Sequence, residues 1–279
     1  MINGDVSFWW NQIGMPVARP ALAGDIDADV CIVGAGYTGL WTAYYLKLLA
    51  PDIRVVVLEQ RFAGYGASGR NGGWLTNSIT GGRDHFVAEF GRERVGDWQR
   101  RVNETVDEVI AVCAREKIDA DIVKGGEYNV AMNRAQQSRL EAWAASEAEW
   151  PMADAQLLSA DEARARIAIA GTTGGIWHPH AARIQPAKLA QGLALACERL
   201  GVVIHENTTV TEIVPGAART EHGTVRADFV IRATEGFTAN FAQAHREWLP
   251  MNSSLVVTTP LPASAWNDIG WAGRDVVGD

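Results

Sequence analysis

Gly34, Gly36 and Gly39 fall in Gly34-Ala35-Gly36-Tyr37-Thr38-Gly39, a G-x-G-x-x-G pattern. Residues of this type at this spacing serve the backbone. Gly34 permits a tight turn out of a strand, Gly36 lets the main chain approach a pyrophosphate, and Gly39 lets the following helix pack closely on a sheet. The start of that helix, at Tyr37 and Thr38, presents free N–H groups and the positive end of a dipole to phosphate. Glu59 stands twenty residues beyond Gly39, where an acid accepts hydrogen bonds from a ribose.

The pattern is informative only if a strand precedes it and a helix follows. Val30 to Val33 is a short apolar run, read as a buried parallel strand. Thr38 to Leu49 has helical spacing, with Pro51 after its end. Ile53 to Leu58 reads as a second strand that delivers Glu59. An acid at this point favours a dinucleotide with an unphosphorylated ribose, FAD or NAD.

Residues 64–73, GYGASGRNGG, bear on that choice. Such a stretch could be a flexible linker. Arg61, Arg70, Asn71 and Trp74 are instead specific donors or stacking groups, and clustered N–H groups on a glycine-rich backbone form an anion-binding concavity. A second cradle just past the ribose-binding acid suits the longer cofactor, FAD. An NAD-linked dehydrogenase would explain the first motif but not this one.

The remainder of the nucleotide fold is expected much later. Residues 186–206 read as a helix and then a strand, and 208–214 as an antiparallel strand. Residues 224–236 read as a short strand followed by a buried parallel one, ending in Ala233-Thr234-Glu235-Gly236. Ligands sit at the carboxyl ends of such strands. The expected organisation is an N-terminal arm (1–27), a cofactor domain (28–82 and 184–245) and a substrate domain (83–183 and 246–279). The arm, with Trp9, Trp10, Pro16 and Pro20, is expected to pack as an irregular segment.

With DADVCIVGAGYTGLWTAYYL, GYGASGRNGGW, HPHAARIQPAKLAQGL and ADFVIRATEG, the chain resembles the FAD-dependent amine and amino-acid oxidoreductases of the D-amino-acid oxidase and sarcosine oxidase group. Within it, the resemblance is strongest to the gamma-glutamylputrescine oxidase-like branch. It covers nearly the whole chain and is more specific for fold than for substrate. It implies an α/β architecture: a Rossmann-type FAD-binding domain with an inserted α+β substrate domain. It implies that Gly34, Gly36 and Gly39 hold the pyrophosphate and that Glu59 and Gln60 hold the ribose. Ala67, Ser68, Gly69, Arg70, Asn71, Gly72 and Gly73 would line the ribityl chain and flavin ring. Val210 would meet the adenine through its backbone, and Ala233, Thr234 and Gly236 would pass beside the pyrophosphate. Residues 64–73 contain neither His nor Cys, so non-covalent FAD is expected.

The implied reaction oxidises the C–N bond of a small amine or amino acid to an imine, with oxygen as acceptor. Because the cofactor carries this chemistry, no catalytic side chain is assigned. Family members continue well past residue 279, so a C-terminal truncation is expected. The alternative is then a non-catalytic FAD-binding fragment.

The substrate half holds further candidates. Glu104, Asp107 and Glu108 lie on a helical segment with basic neighbours, the pattern of a solvated face. Residues 125–133 and 253–261 read as strands, and 134–151 as a helix ended by Pro151. His178 and His180 are two apart, so on a strand they share a side. They could be packing or capping residues, could line the active-site cavity, or could form a metal pair that lacks a third ligand. Arg183 could meet a substrate carboxylate or a structural partner.

Composition excludes other classes. A net charge of −8 disfavours nucleic-acid binding, and no apolar run is long enough to span a bilayer. Cys31, Cys113 and Cys197 are scattered and odd in number, pointing to buried thiols in a reducing cytoplasm.

Overall fold

The computed structural model describes residues 5–242 and 244–278; the first four residues of the arm, and Gln243 and Asp279 within the expected domain ranges, lie outside the described residues. The chain forms two compact units. The first comprises Met1–Gly72, Glu116–Ala120 and Gln185–Val256; the second comprises Gly73–Arg115, Asp121–Ile184 and Val257–Asp279.

The first unit is built on a six-stranded sheet, in spatial order Val210–Val214, Ala217–Thr220, Gly223–Arg232, Ile26–Val33, Val55–Leu58, Val203–His205. Its last four strands run parallel, and its first three form antiparallel neighbours. Val55–Leu58 is buried throughout, and Cys31 and Ile32 are fully enclosed. Continuous apolar runs are what a parallel strand covered on both faces requires. Cys31, Val33, Val56, Leu58, Ala218 and Val225 form one core cluster of the sheet.

Two helices belong to the same unit. Tyr37–Leu49 follows the first strand, and its Lys47 donates to the carbonyls of Pro51 and, at 3.0 Å, Ile53 beyond the helix end. Pro186–Arg199 starts with proline, whose missing N–H costs nothing at a helix start. Gln185 caps it, its side-chain oxygen accepting from Lys188 N–H at 2.8 Å.

Three expectations need correction. Residues 223–232 form one strand rather than two, and its second half is not enclosed: Val225 is buried but Phe229 is 68% exposed. The hairpin strand pairs with it only as far as Arg226, so beyond that point the first strand is its sheet neighbour. Residues 253–261 are exposed and belong to no strand among the described residues, because an apolar run becomes a strand only with a partner. The arm is not wholly irregular: Phe8–Ile13 is helical, capped by Ser7, and Trp10 is 1% exposed.

The second unit carries a four-stranded sheet (Val276–Gly278, Glu127–Ala131, Gly174–His178, Gln156–Leu158) and a three-stranded one (Trp74–Thr76, Ala181–Arg183, Val123–Lys124). The helix Arg92–Glu116 buries Val95, Gln99, Asn103, Val106, Val109 and Val112, a stripe at three-to-four spacing. Arg134–Ala148 supplies a second helix. Among the described residues no helix is long and apolar enough to cross a membrane.

Candidate cofactor site

The first strand ends at Gly34, which has φ +110°. A Cβ there would strike the carbonyl of Ala233, and one on Gly39 would strike the carbonyl of Gly34. Both glycines are therefore demanded by backbone meeting backbone. Gly36 caps the helix Tyr37–Leu49 in extended conformation, and a Cβ on it would lie 3.0 Å from Ser68 Oγ.

That contact identifies how the second loop is tied to the first. Ala67–Gly69 is a short 3-10 turn, and Ser68 Oγ accepts a hydrogen bond from Tyr37 N–H at 2.8 Å. Asn71 Nδ2 donates back to the carbonyls of Ala67 and Ser68, at 3.2 and 3.1 Å. Arg70 Nε donates to the Tyr65 carbonyl at 2.6 Å, with its guanidinium 4.3 Å above the Tyr65 ring. The loop is thus held by its own side chains.

These elements surround a cavity of about 460 Å³. Gly34, Gly36, Tyr37 and Thr38 line it from the first loop, and Ala67 and Ser68 from the second. Glu59, Gln60, Val210, Ala233 and Thr234 line it from the strand ends. Gly39, Gly69, Arg70, Asn71, Gly72, Gly73 and Gly236 lie outside the lining, and Gly73 belongs to the second unit. Sequence reasoning missed Tyr65, Thr208, Thr209, Thr211, Phe237 and Asn240. The threonines flank Val210 and could have been found as its neighbours. Phe237 and Asn240 sit on the 3-10 turn Glu235–Asn240, which follows the Ala233-Thr234 strand end.

Glu59 is held by two main-chain donors: Ala35 N–H to Oε2 at 2.9 Å and Arg61 N–H to Oε1 at 3.0 Å. Burial pushes its carboxyl above the usual carboxylate range, against the lowering effect of these donors; the Glu206 charge adds to the rise. Bare backbone at Gly34 and Gly36, a helix N-terminus, and an acid at the far strand end fit a diphosphate followed by a ribose. The residues present fit FAD.

The arm fastens this unit. Ser7 Oγ donates to the Gly69 carbonyl at 2.9 Å, and Trp9 Nε1 donates to the Asn71 carbonyl at 2.7 Å. Space above Gly64 and Gly69 is filled by Trp10. Further along, Arg19 forms ion pairs of 2.8 Å with both Glu198 and the fully buried Glu206. Glu206 Oε1 also accepts from the Ala63 N–H at 2.8 Å and its Oε2 accepts from the Arg19 main-chain N–H at 2.8 Å, so its buried charge is matched on both oxygens.

The other candidates resolve into structure. Glu104 and Asp107 pair with Arg101 (2.9 Å) and Lys124 (2.5 Å), and Glu108 lies 3.7 Å from Arg115, all on an exposed face. His178 and His180 do share a side, with rings 6.3 Å apart. His180 meets Asp154 at 2.8 Å, and His178 faces Glu127 at 3.6 Å. No metal-binding group of three is found among the described residues. Arg183 Nε donates to the Gly273 carbonyl at 2.5 Å. All three cysteines are buried; burial pushes Cys31 and Cys197 up to about 12 and Cys113 up to about 11.

Residues 29–279 match the family model described as DAO, FAD dependent oxidoreductase. The chain is 33% identical over 244 residues to gamma-glutamylputrescine oxidoreductase of Escherichia coli, covering 85% of this chain and 56% of that protein. It is 27% identical over 264 residues to the probable oxidoreductase OrdL of Haemophilus influenzae, covering 91% and 61%. The chain thus spans less than two thirds of the length of these relatives. Glycine oxidase from Bacillus cereus shares the fold with a TM-score of 0.64 at 20% identity, over 79% of this chain and 59% of that one. L-amino acid deaminase from Proteus myxofaciens does so with a TM-score of 0.65 at 17% identity, over 81% and 50%. Glycine-loop geometry and family match agree: this chain belongs to the DAO family of FAD-dependent oxidoreductases.

Proposed function

We propose that the chain binds FAD non-covalently and acts in the oxidation of a small amine or amino acid to its imine, with oxygen as acceptor. The first unit is then the cofactor domain and the second carries substrate recognition. The observation that carries this reading is the cavity joining the two glycine-containing loops, with Glu59 at its ribose end and Ser68 bracing Tyr37 at its phosphate end. The 33% identity to an enzyme named for an amine, gamma-glutamylputrescine, supports the substrate class.

When bound, FAD supplies the acceptor for a hydride equivalent. The chain's own residues bind and orient. The N-terminus of helix Tyr37–Leu49, with Gly34 and Gly36, receives the diphosphate; Glu59 and Gln60 receive the ribose; Val210 reaches the adenine. Ala67 and Ser68 hold the ribityl end, with Gly69 to Gly72 shaping the loop behind them, and Ala233 and Thr234 pass beside the diphosphate. No His or Cys lines the cavity among the described residues, which supports non-covalent attachment.

The test is anaerobic mixing of the flavin-loaded chain with a panel of amines and amino acids. Loss of the oxidised flavin bands with an amine, and peroxide on admitting air, is the expected result. Flavin that stays oxidised with every compound would favour the competing reading, a flavin-binding chain without turnover.

A further inference from the structure

A second cavity, of about 370 Å³, lies wholly within the second unit. Its walls differ in kind from those of the cofactor site. Glu127 and His178 face each other across the Glu127–Ala131 and Gly174–His178 strands, as directly opposed residues of the antiparallel ladder. Trp143 and Trp150 supply aromatic surface. Arg83, also in the lining, is already paired with Glu147, and Trp143 Nε1 donates to the same carboxylate at 2.9 Å. Arg83 Nη1 also donates to Gln99 at 3.1 Å. The cation of this cavity is thereby neutralised and held against the wall.

Glu127 is different. Its Oε2 accepts from Thr76 Oγ1 at 2.9 Å, and its Oε1 accepts from Asn129 Nδ2 at 3.1 Å. Both donors are neutral. The remaining neighbour is His178, and its tautomer follows from geometry. The His180 backbone N–H can only donate, and it points at His178 Nδ1 at 3.3 Å. Nδ1 is therefore the acceptor nitrogen, and the single ring hydrogen sits on Nε2, toward Glu127. The imidazole orients the carboxylate through that Nε2 edge, 3.6 Å away. Burial raises the Glu127 carboxyl, but donors at His178, Asn129 and Thr76 outweigh it and hold the group below its ordinary value. The side chain is only 12% exposed.

Three carboxylates line the cavity, Asp84, Glu127 and Glu147, against one guanidinium, Arg83, which is engaged by Glu147; an acidic cavity with an aromatic wall is a receptor for an organic cation. We infer that the second-unit cavity binds the ammonium group of a small aliphatic amine, with Glu127 as its counter-charge and the Trp143 ring against its alkyl chain; the Trp150 ring is already covered by the Arg92 and Arg83 guanidiniums, at 4.2 and 5.2 Å. The identification of this ligand with the oxidised substrate rests on the flavin reading above; the binding itself does not. A carboxylate ligand, such as a simple amino acid presents, would meet Glu127 as a like charge. The cavity thus selects amines over acids.

Isothermal titration of the 279-residue chain with n-butylamine, n-butanol and butyrate reads this directly, by heat and not by flavin reduction. The amine is expected to bind, with the alcohol and the acid weaker by at least about tenfold, the scale of one charge-assisted hydrogen bond. Glu127→Gln keeps the shape and removes the charge, and is expected to weaken the amine by a similar factor. Butyrate binding as tightly as butylamine would overturn the inference, since Arg83 would then be the recognition group. An unchanged amine affinity in a folded Glu127→Gln chain would overturn it as well. Should that variant not fold, the cation, neutral and anion ranking on the unaltered chain decides alone. Amine binding with no flavin reduction would leave the cation site standing while removing the oxidase reading.

Discussion

The two cavities are made of different material. In the first unit the walls are mostly main chain: Gly34 and Gly36, a helix N-terminus, and strand ends at Ala233 and Thr234. In the second they are side chains whose charges have been sorted, Arg83 onto Glu147 and Glu127 beside Thr76, Asn129 and His178. Backbone sites depend on spacing within one stretch of chain. Side-chain sites depend on residues brought together from Thr76, Glu127, Trp143 and His178, far apart in sequence. The first kind should fail through steric intrusion, the second through loss of charge.

The largest effect on flavin content is expected at Gly34 and Gly39. A methyl group at either meets a carbonyl oxygen that cannot rotate away, and Gly34 also has positive φ. Gly39→Ala should destabilise by about 1–3 kcal/mol, the usual range for overpacking, and should leave the purified chain without flavin. Chemical denaturation and the visible spectrum check both. Retained flavin and stability would mean that the loop is not the close-packed cradle described.

Next comes the arm. Trp10 is buried against Gly64 and Gly69, so Trp10→Ala should cost about 3–5 kcal/mol. Trp9→Phe removes the hydrogen bond to Asn71 while keeping an aromatic ring. It should weaken FAD binding by a few-fold without a comparable loss of stability; fluorescence titration with FAD separates the two.

Ser68→Ala removes the acceptor for Tyr37 N–H. A lost hydrogen bond of this kind costs about 1 kcal/mol, so FAD affinity should fall about fivefold. A change of that size at Ser68, beside none at Arg70, would sharpen the distinction between loop residues that line the cavity and those that hold the loop.

The second cavity has a pH signature. Glu127 lies below its ordinary value when folded, so it contributes stability above the unfolded carboxyl pKa. That contribution is lost as pH falls through the folded value. Glu127→Gln should therefore flatten the acid limb of the stability curve and leave the neutral region's slope unchanged. The smallest effect is expected on the exposed helix: Arg101→Ala breaks the pair with Glu104 and should move stability by less than about 0.5 kcal/mol.

The contrast also explains what was legible in the sequence. The strand, turn, helix and strand from Ile26 to Leu58 could be read because local spacing sets them, and Gly34, Gly36, Thr38 and Glu59 line the cavity as that spacing implies. Loop 67–73 was read as one lining surface, yet Ala67 and Ser68 line the cavity while Gly69 to Gly73 do not. Glycine content reports a permissive backbone, not the direction it faces. Residues 253–261 have strand composition, but composition cannot supply a neighbouring strand. Glu127 carried no local signal, because its surroundings, Thr76, Trp143, Glu147 and His178, are assembled from distant parts of the chain.

The claim on which the rest depends is that the first cavity holds FAD. The most direct measurement is a visible absorption spectrum of the purified 279-residue chain, before and after heat release, with added FAD as a control. The account predicts oxidised-flavin bands that become those of free, unmodified FAD in the supernatant on denaturation. A chain that is colourless, and that neither shifts nor quenches added FAD, would contradict it.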